Sequence, residues 1–168
     1  GLEIYFGLYF WELTQGQLAA LVTISVVGGA IGMVASPHVA RRMGKKYGAI
    51  FMYTSALTDG VAPIVLRLMG WMPANGTPEL FAILMVETLI NTAFAGGTAV
   101  LLVSMVADVI EDAEVKTGRR SEGLLMSADN LVKKMVSGVG VFISGTILAF
   151  IGFPVGAKRG QVDPEIIQ

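Results

Sequence analysis

Four long apolar runs, separated by short polar breaks, set the pattern of this chain: 17–40, 47–69, 80–107 and 124–153. Each is at least as long as the roughly 20 residues that cross a bilayer as a helix, so each predicts a transmembrane helix. A fifth apolar run, 1–13, is too short to span and predicts the end of a truncated helix. Pro73, Gly76 and Pro78 break the chain between the second and third runs. The tail 154–168 is polar, contains Pro164, and predicts a loop. The expected fold is all-α: a polytopic transmembrane helix bundle without sheet, the whole chain forming part of one membrane domain.

Composition supports that pattern. The 168 residues are 54% hydrophobic and 15% charged, whereas soluble domains carry about a quarter charged residues. Twenty-one glycines and nine methionines suit packed membrane helices, because small residues let backbones approach closely. Gly28-x-x-x-Gly32 is expected to be such a contact. The absence of cysteine excludes disulfides and thiolate metal sites. His38 is the lone histidine and has no ligand cluster, so no metal site is expected. Gly44-Lys45 lacks the remainder of a phosphate loop. No basic patch suggests nucleic acid. Neither an enzyme nor a cofactor is expected. The chain opens inside apolar sequence without Met or a basic leader, which predicts a piece of a longer protein.

Basic residues collect on the cytoplasmic side of membranes. Arg41, Arg42, Lys45 and Lys46 lie between runs one and two, and Lys116, Arg119 and Arg120 between runs three and four. The opposite side has Lys158 and Arg159, with Arg67 near that face. The segments after Ala40 and Ala107 are therefore expected in the cytoplasm, and the chain in the inner cell membrane as a multi-pass protein.

The most informative segment is 107–134. It concentrates Asp108, Glu111, Asp112, Glu114, Lys116, Arg119, Arg120, Glu122, Asp129 and Lys133, and then carries Lys134 into the fourth apolar run. The spacing D-x-x-[DE]-x-x-E-x-K-x-x-x-R-x-E, followed by S-x-x-x-x-x-x-K, falls on Asp108, Glu111, Glu114, Lys116, Arg120, Glu122, Ser127 and Lys134. It resembles the connection between transmembrane helices ten and eleven of the glycoside–pentoside–hexuronide:cation symporters, a branch of the major facilitator superfamily. The segment from Ala40 to Lys46 is similar to the short basic turn that this superfamily repeats in each half.

The resemblance implies that the chain holds the end of helix seven and helices eight to eleven. Helix twelve and the amino-terminal half would be partners, together with membrane lipid and a small-molecule solute. It implies cation-coupled symport of a sugar or glycoside, with Na⁺ or H⁺ bound largely in the other half. It also implies an inner gate closed by the charged segment, with Asp108, Glu111, Arg120 and Glu122 as gate residues. Ala99 stands where the melibiose-permease branch carries a cavity tryptophan, so galactoside specificity is not expected. A lipid or other non-sugar carrier of the same family, and a non-transporting sensor or scaffold on this fold, are the alternatives.

Charge inside hydrocarbon is costly and marks candidate sites. Lys134 lies twelve residues beyond Glu122, about 18 Å deeper along a regular helix. Ser127, Asn130, Lys134 and Ser137 share one helical face. Lys134 is expected to couple solute to ion; the alternative is a structural pair with a buried acid. The resemblance puts the matching lysine between the solute and cation sites. Asp129 and Lys133, four apart, predict a local ion pair that serves either helix contact or substrate. Glu87 is the lone charge of run three, with Asn91 at i+4: a solute, proton or gating pair, or a neutral Glu bonded to Asn91. Asp59 is expected to be structural, and Arg67 to snorkel outward. The aromatic cluster Tyr5, Phe6, Tyr9, Phe10 and Trp11 predicts an interfacial belt, with Tyr5 and Tyr9 as cavity candidates.

Overall fold

A computed structural model describes residues 6–118 and 122–150, and among these every regular element is helical. A π-helical turn at Phe6–Phe10 precedes α1 (Gln15–Met43), α2 (Lys45–Leu68), α3 (Pro78–Thr117) and α4 (Glu122–Phe150). Helices α1, α2 and α3 are long and apolar enough to cross a membrane. The chain divides into two units, Gln15–Gly118 on one hand and Gly1–Thr14 with Arg119–Gln168 on the other.

In the first unit α3 packs against both α1 and α2. Glycine sets the closeness of α1 to α3. A Cβ on Gly32 would overlap the Ala93 carbonyl, and one on Gly28 would lie 2.5 Å from the Leu89 oxygen. On the α3 side, a Cβ on Gly96 would lie 2.7 Å from the Gly29 oxygen. The backbones are thus in direct contact, as the Gly28-x-x-x-Gly32 spacing predicts. Pro37 lacks the N–H that would reach the Met33 carbonyl. The fully buried Ser36 hydroxyl donates to that carbonyl instead, at 3.0 Å. This is how a proline is tolerated inside a membrane helix.

Helix α2 runs antiparallel to α3. A Cβ on Gly48 would meet Leu101 at 3.3 Å, and Gly97 sits beneath Met52. Ala49, Met52 and Leu101 form a buried core, flanked by Val39, Ala40, Phe94 and Met105. Phe51 and Phe94 add an edge-to-face contact with centroids 6.2 Å apart, a favoured aromatic geometry. The outer faces keep apolar side chains such as Val26, Val34 and Val61 exposed, as lipid-facing or partner-facing surfaces require.

The observed elements refine the expected boundaries. Run three was expected to end at Ala107, whereas α3 continues to Thr117. Asp112 and Lys116 pair at 2.6 Å on that extension, and Gly118 closes it in the left-handed conformation at φ 65°. Its start is capped by Thr77, whose hydroxyl accepts from the Leu80 N–H, with Pro78 at the first helical position.

In the second unit the expected truncated helix is a π-turn in its described part. The Trp11 N–H donates to the Phe6 carbonyl at 2.9 Å. Phe10 stacks edge-on against Phe6 and Trp11, at centroid distances of 5.5 and 4.8 Å.

Candidate functional site

Helix α4 carries the last part of the charge pattern that the sequence singled out, from Glu122 to Lys134. Glu122 lies in its first turn, where a carboxylate is favoured by the positive end of the helix dipole. Lys133 Nζ and Asp129 Oδ2 are 2.5 Å apart, so the expected i,i+4 pair forms. Lys134, one residue on, is exposed and makes no ion pair or hydrogen bond among the described residues. The Ser127 hydroxyl turns inward to the Gly123 carbonyl at 2.6 Å. Asn130 is exposed on the same helix.

The polar cluster between α2 and α3 differs from its expected wiring. Asn91 Nδ2 donates to the Ala56 carbonyl on α2, at 2.8 Å, and not to Glu87. Glu87 Oε2 instead accepts a long 3.5 Å contact from the Thr88 hydroxyl. Asp59 Oδ2 is buried without a hydrogen-bond partner, and the neighbouring Thr58 hydroxyl is spent on the Thr54 carbonyl at 2.9 Å. Asn91 therefore ties two membrane helices together. It does so through a backbone carbonyl, a partner that side-chain spacing cannot reveal.

On the α1–α2 turn, Lys45 Nζ grips both carboxylate oxygens of Asp108, at 2.6 and 2.7 Å. Asp108, expected at the gate, braces α2 to α3 within its own unit. Both side chains are about half exposed, at 42% and 55%, so the pair is worth only about 0–1 kcal/mol. Lys45→Ala and Asp108→Ala in the full-length protein are expected to change cytoplasmic cysteine accessibility alike. The double variant should add nothing further. Additive effects would show that Asp108 acts on a different partner.

Glu111 is exposed on the α3 extension. Arg120 and Tyr5 lie outside the described residues. Tyr9 follows Phe6 and Gly7 in the π-turn and is half-buried. The sequence missed Lys45, although its place in the basic turn was visible. It also missed the role of Arg67, whose guanidinium turns back onto the connection between α2 and α3.

Residues 1–168 match the family model described as MFS/sugar transport protein. Among curated proteins the chain is 28% identical over 157 residues to an uncharacterized symporter, YjmB, of Bacillus subtilis (strain 168), covering 93% of this chain and 31% of that protein. It is 26% identical over 152 residues to the isoprimeverose transporter of Lactiplantibacillus pentosus, covering 90% of this chain and 29% of that protein. The chain thus spans about a third of the length of these relatives. No solved structure matches.

Proposed function

The chain belongs to the MFS/sugar transport protein family, and from that premise we propose that it is part of a secondary transporter coupling a small hydrophilic solute to a cation. The family and the named relatives are transporters, not enzymes. A sugar or glycoside is the solute, which the isoprimeverose transporter among the relatives supports. Na⁺ or H⁺ is the coupling ion, held largely by the remainder of the protein, and the symporter among the relatives supports coupled transport. The protein sits in the cell membrane with lipid and its own remaining helices as partners.

The observation that carries this reading is the contrast between neighbouring lysines on α4. Lys133 is neutralised locally by Asp129. Lys134 has no partner among the described residues, and Asn130 and Gly138 occupy its i±4 places. In the proposed transporter α4 spans the membrane, and a lysine some 18 Å along it cannot easily reach water. It must be answered by a carboxylate, a solute or a cavity supplied by the rest of the protein. A fixed positive charge beside carboxylates competes with a bound cation, which links ion binding to lysine rearrangement. Asp129, Asn130, Glu87, Asn91, Tyr5 and Tyr9 complete the proposed solute and coupling set, with Asn91 acting through helix position. Glu111, Arg120 and Glu122 serve the cytoplasmic gate, and Asp108 braces α2 to α3 through Lys45. Exposed pairs suit a gate because alternating access needs two states of similar energy.

The test is uptake of isoprimeverose and related glycosides by the full-length protein in proteoliposomes. An imposed inward Na⁺ or proton gradient should drive accumulation above the external concentration. Equilibration without accumulation would refute symport, and saturable binding without entry would favour a sensor.

A further inference from the structure

The connection between α2 and α3, residues 69–77, is a built structure. Arg67 spans it as a fork: Nη1 donates to the Pro73 carbonyl at 2.5 Å and Nη2 to Asn75 Oδ1 at 2.8 Å. The Gly70 N–H returns to the Arg67 carbonyl and the Trp71 N–H to the Leu66 carbonyl, each at 3.0 Å. Gly70 and Gly76 take the positive φ values of 75° and 81° that such a reversal needs. The Thr77 hydroxyl donates to the Ala74 carbonyl at 2.8 Å and caps α3. The turn is therefore fixed at both ends and across its middle.

Its position and chemistry specify what surrounds it. Helices α2 and α3 are both membrane-length and antiparallel, so their short connection lies at one membrane face. The other end of α2 lies beside Arg41, Arg42, Lys45 and Lys46, as expected for a segment in water. Residues 69–77 contain no acidic or basic side chain at all. The charge of Arg67 is directed inward, onto the turn. What the turn shows outward is apolar and aromatic: Leu68, Met69 and Trp71 are 66%, 55% and 72% exposed. Tryptophan at a membrane helix end favours the headgroup level, where its amphipathic ring meets both phases.

We propose that the turn 69–77 is a membrane-interface anchor, with Arg67 as its internal clamp and Leu68, Met69 and Trp71 as the side chains that enter the boundary between headgroups and acyl chains. The partner is the lipid of the leaflet opposite the basic turn. The anchor sets the depth of the α2–α3 hairpin, and it holds whether or not a solute is bound.

The test uses full-length protein in phosphatidylcholine vesicles containing a minority of lipid brominated at a shallow or a deep acyl position. The Trp71 signal is the difference between wild-type and Trp71→Phe emission. It should be quenched most by the shallow bromolipid, less by the deep one, and least by aqueous iodide. Stronger quenching by iodide would place the turn in water, and absence of all three would mean that protein covers it; either overturns the anchor. Arg67→Gln should raise amide hydrogen exchange across 69–77 by roughly tenfold or more, since it removes two charge-assisted bonds. Asn75→Ala removes one arm only and should give a smaller rise in a protein that still folds. Exchange unchanged in both variants would overturn the clamp.

Discussion

Gly32→Leu is expected to abolish the folded state of the α1–α3 pair. A Cβ at this position would overlap the Ala93 carbonyl oxygen and lie 2.8 Å from the Gly97 nitrogen. These are backbone atoms of a membrane helix, and they cannot rotate away as a side-chain tip would. The helices must separate, with loss of the packed surface around Gly28, Gly29, Gly96 and Gly97. Ordinary core overpacking costs about 1–3 kcal/mol, and a clash with backbone should reach or exceed the top of that range. Gly29→Ala is the internal control, because a Cβ there meets nothing within 4 Å; it should be neutral or slightly stabilising through helix propensity. Monodispersity and thermal denaturation of the full-length protein in detergent will separate the two. Equal behaviour of Gly32→Leu and Gly29→Ala would refute the close contact.

Lys134→Val is expected to abolish uphill accumulation while leaving insertion, folding and solute binding intact. Valine removes the charge and keeps an apolar, helix-compatible side chain. Lys133→Ala should be far milder, since Lys133 is held by Asp129 at a local i,i+4 contact worth only a few tenths of a kcal/mol. Uptake against a gradient, run beside thermal stability, checks this. If Lys134→Val unfolds the protein and Lys133→Ala does not, Lys134 is a structural ion-pair partner instead.

Helix existence was legible because apolar runs of membrane length leave the backbone little alternative to a helix. Helix ends were less so. Hydropathy marks where the membrane stops, and α3 does not stop there: Glu114 and Lys116 are good surface helix residues, Asp112 pairs with Lys116, and the helix runs on until Gly118. The Gly28–Gly32 contact and the Asp129–Lys133 pair were also legible, since both depend on spacing within one helix. Tertiary partners were not. Asp108 was visible as a charge in a patterned segment, but its binding to Lys45 depends on how α2 meets α3. Arg67 has the length and position of a snorkelling side chain. Only the folded turn shows a carbonyl and an amide oxygen placed within its reach. The pairing of Asn91 with a main-chain carbonyl leaves no trace in side-chain pattern.

The central claim, that Lys134 links solute to cation, is tested most directly by equilibrium glycoside binding to the purified full-length protein, measured with and without Na⁺ and across pH. Wild-type affinity should rise when the coupling cation is supplied, and Lys134→Val should bind solute with an affinity that no longer responds to it. A variant that keeps the wild-type cation dependence would contradict the claim.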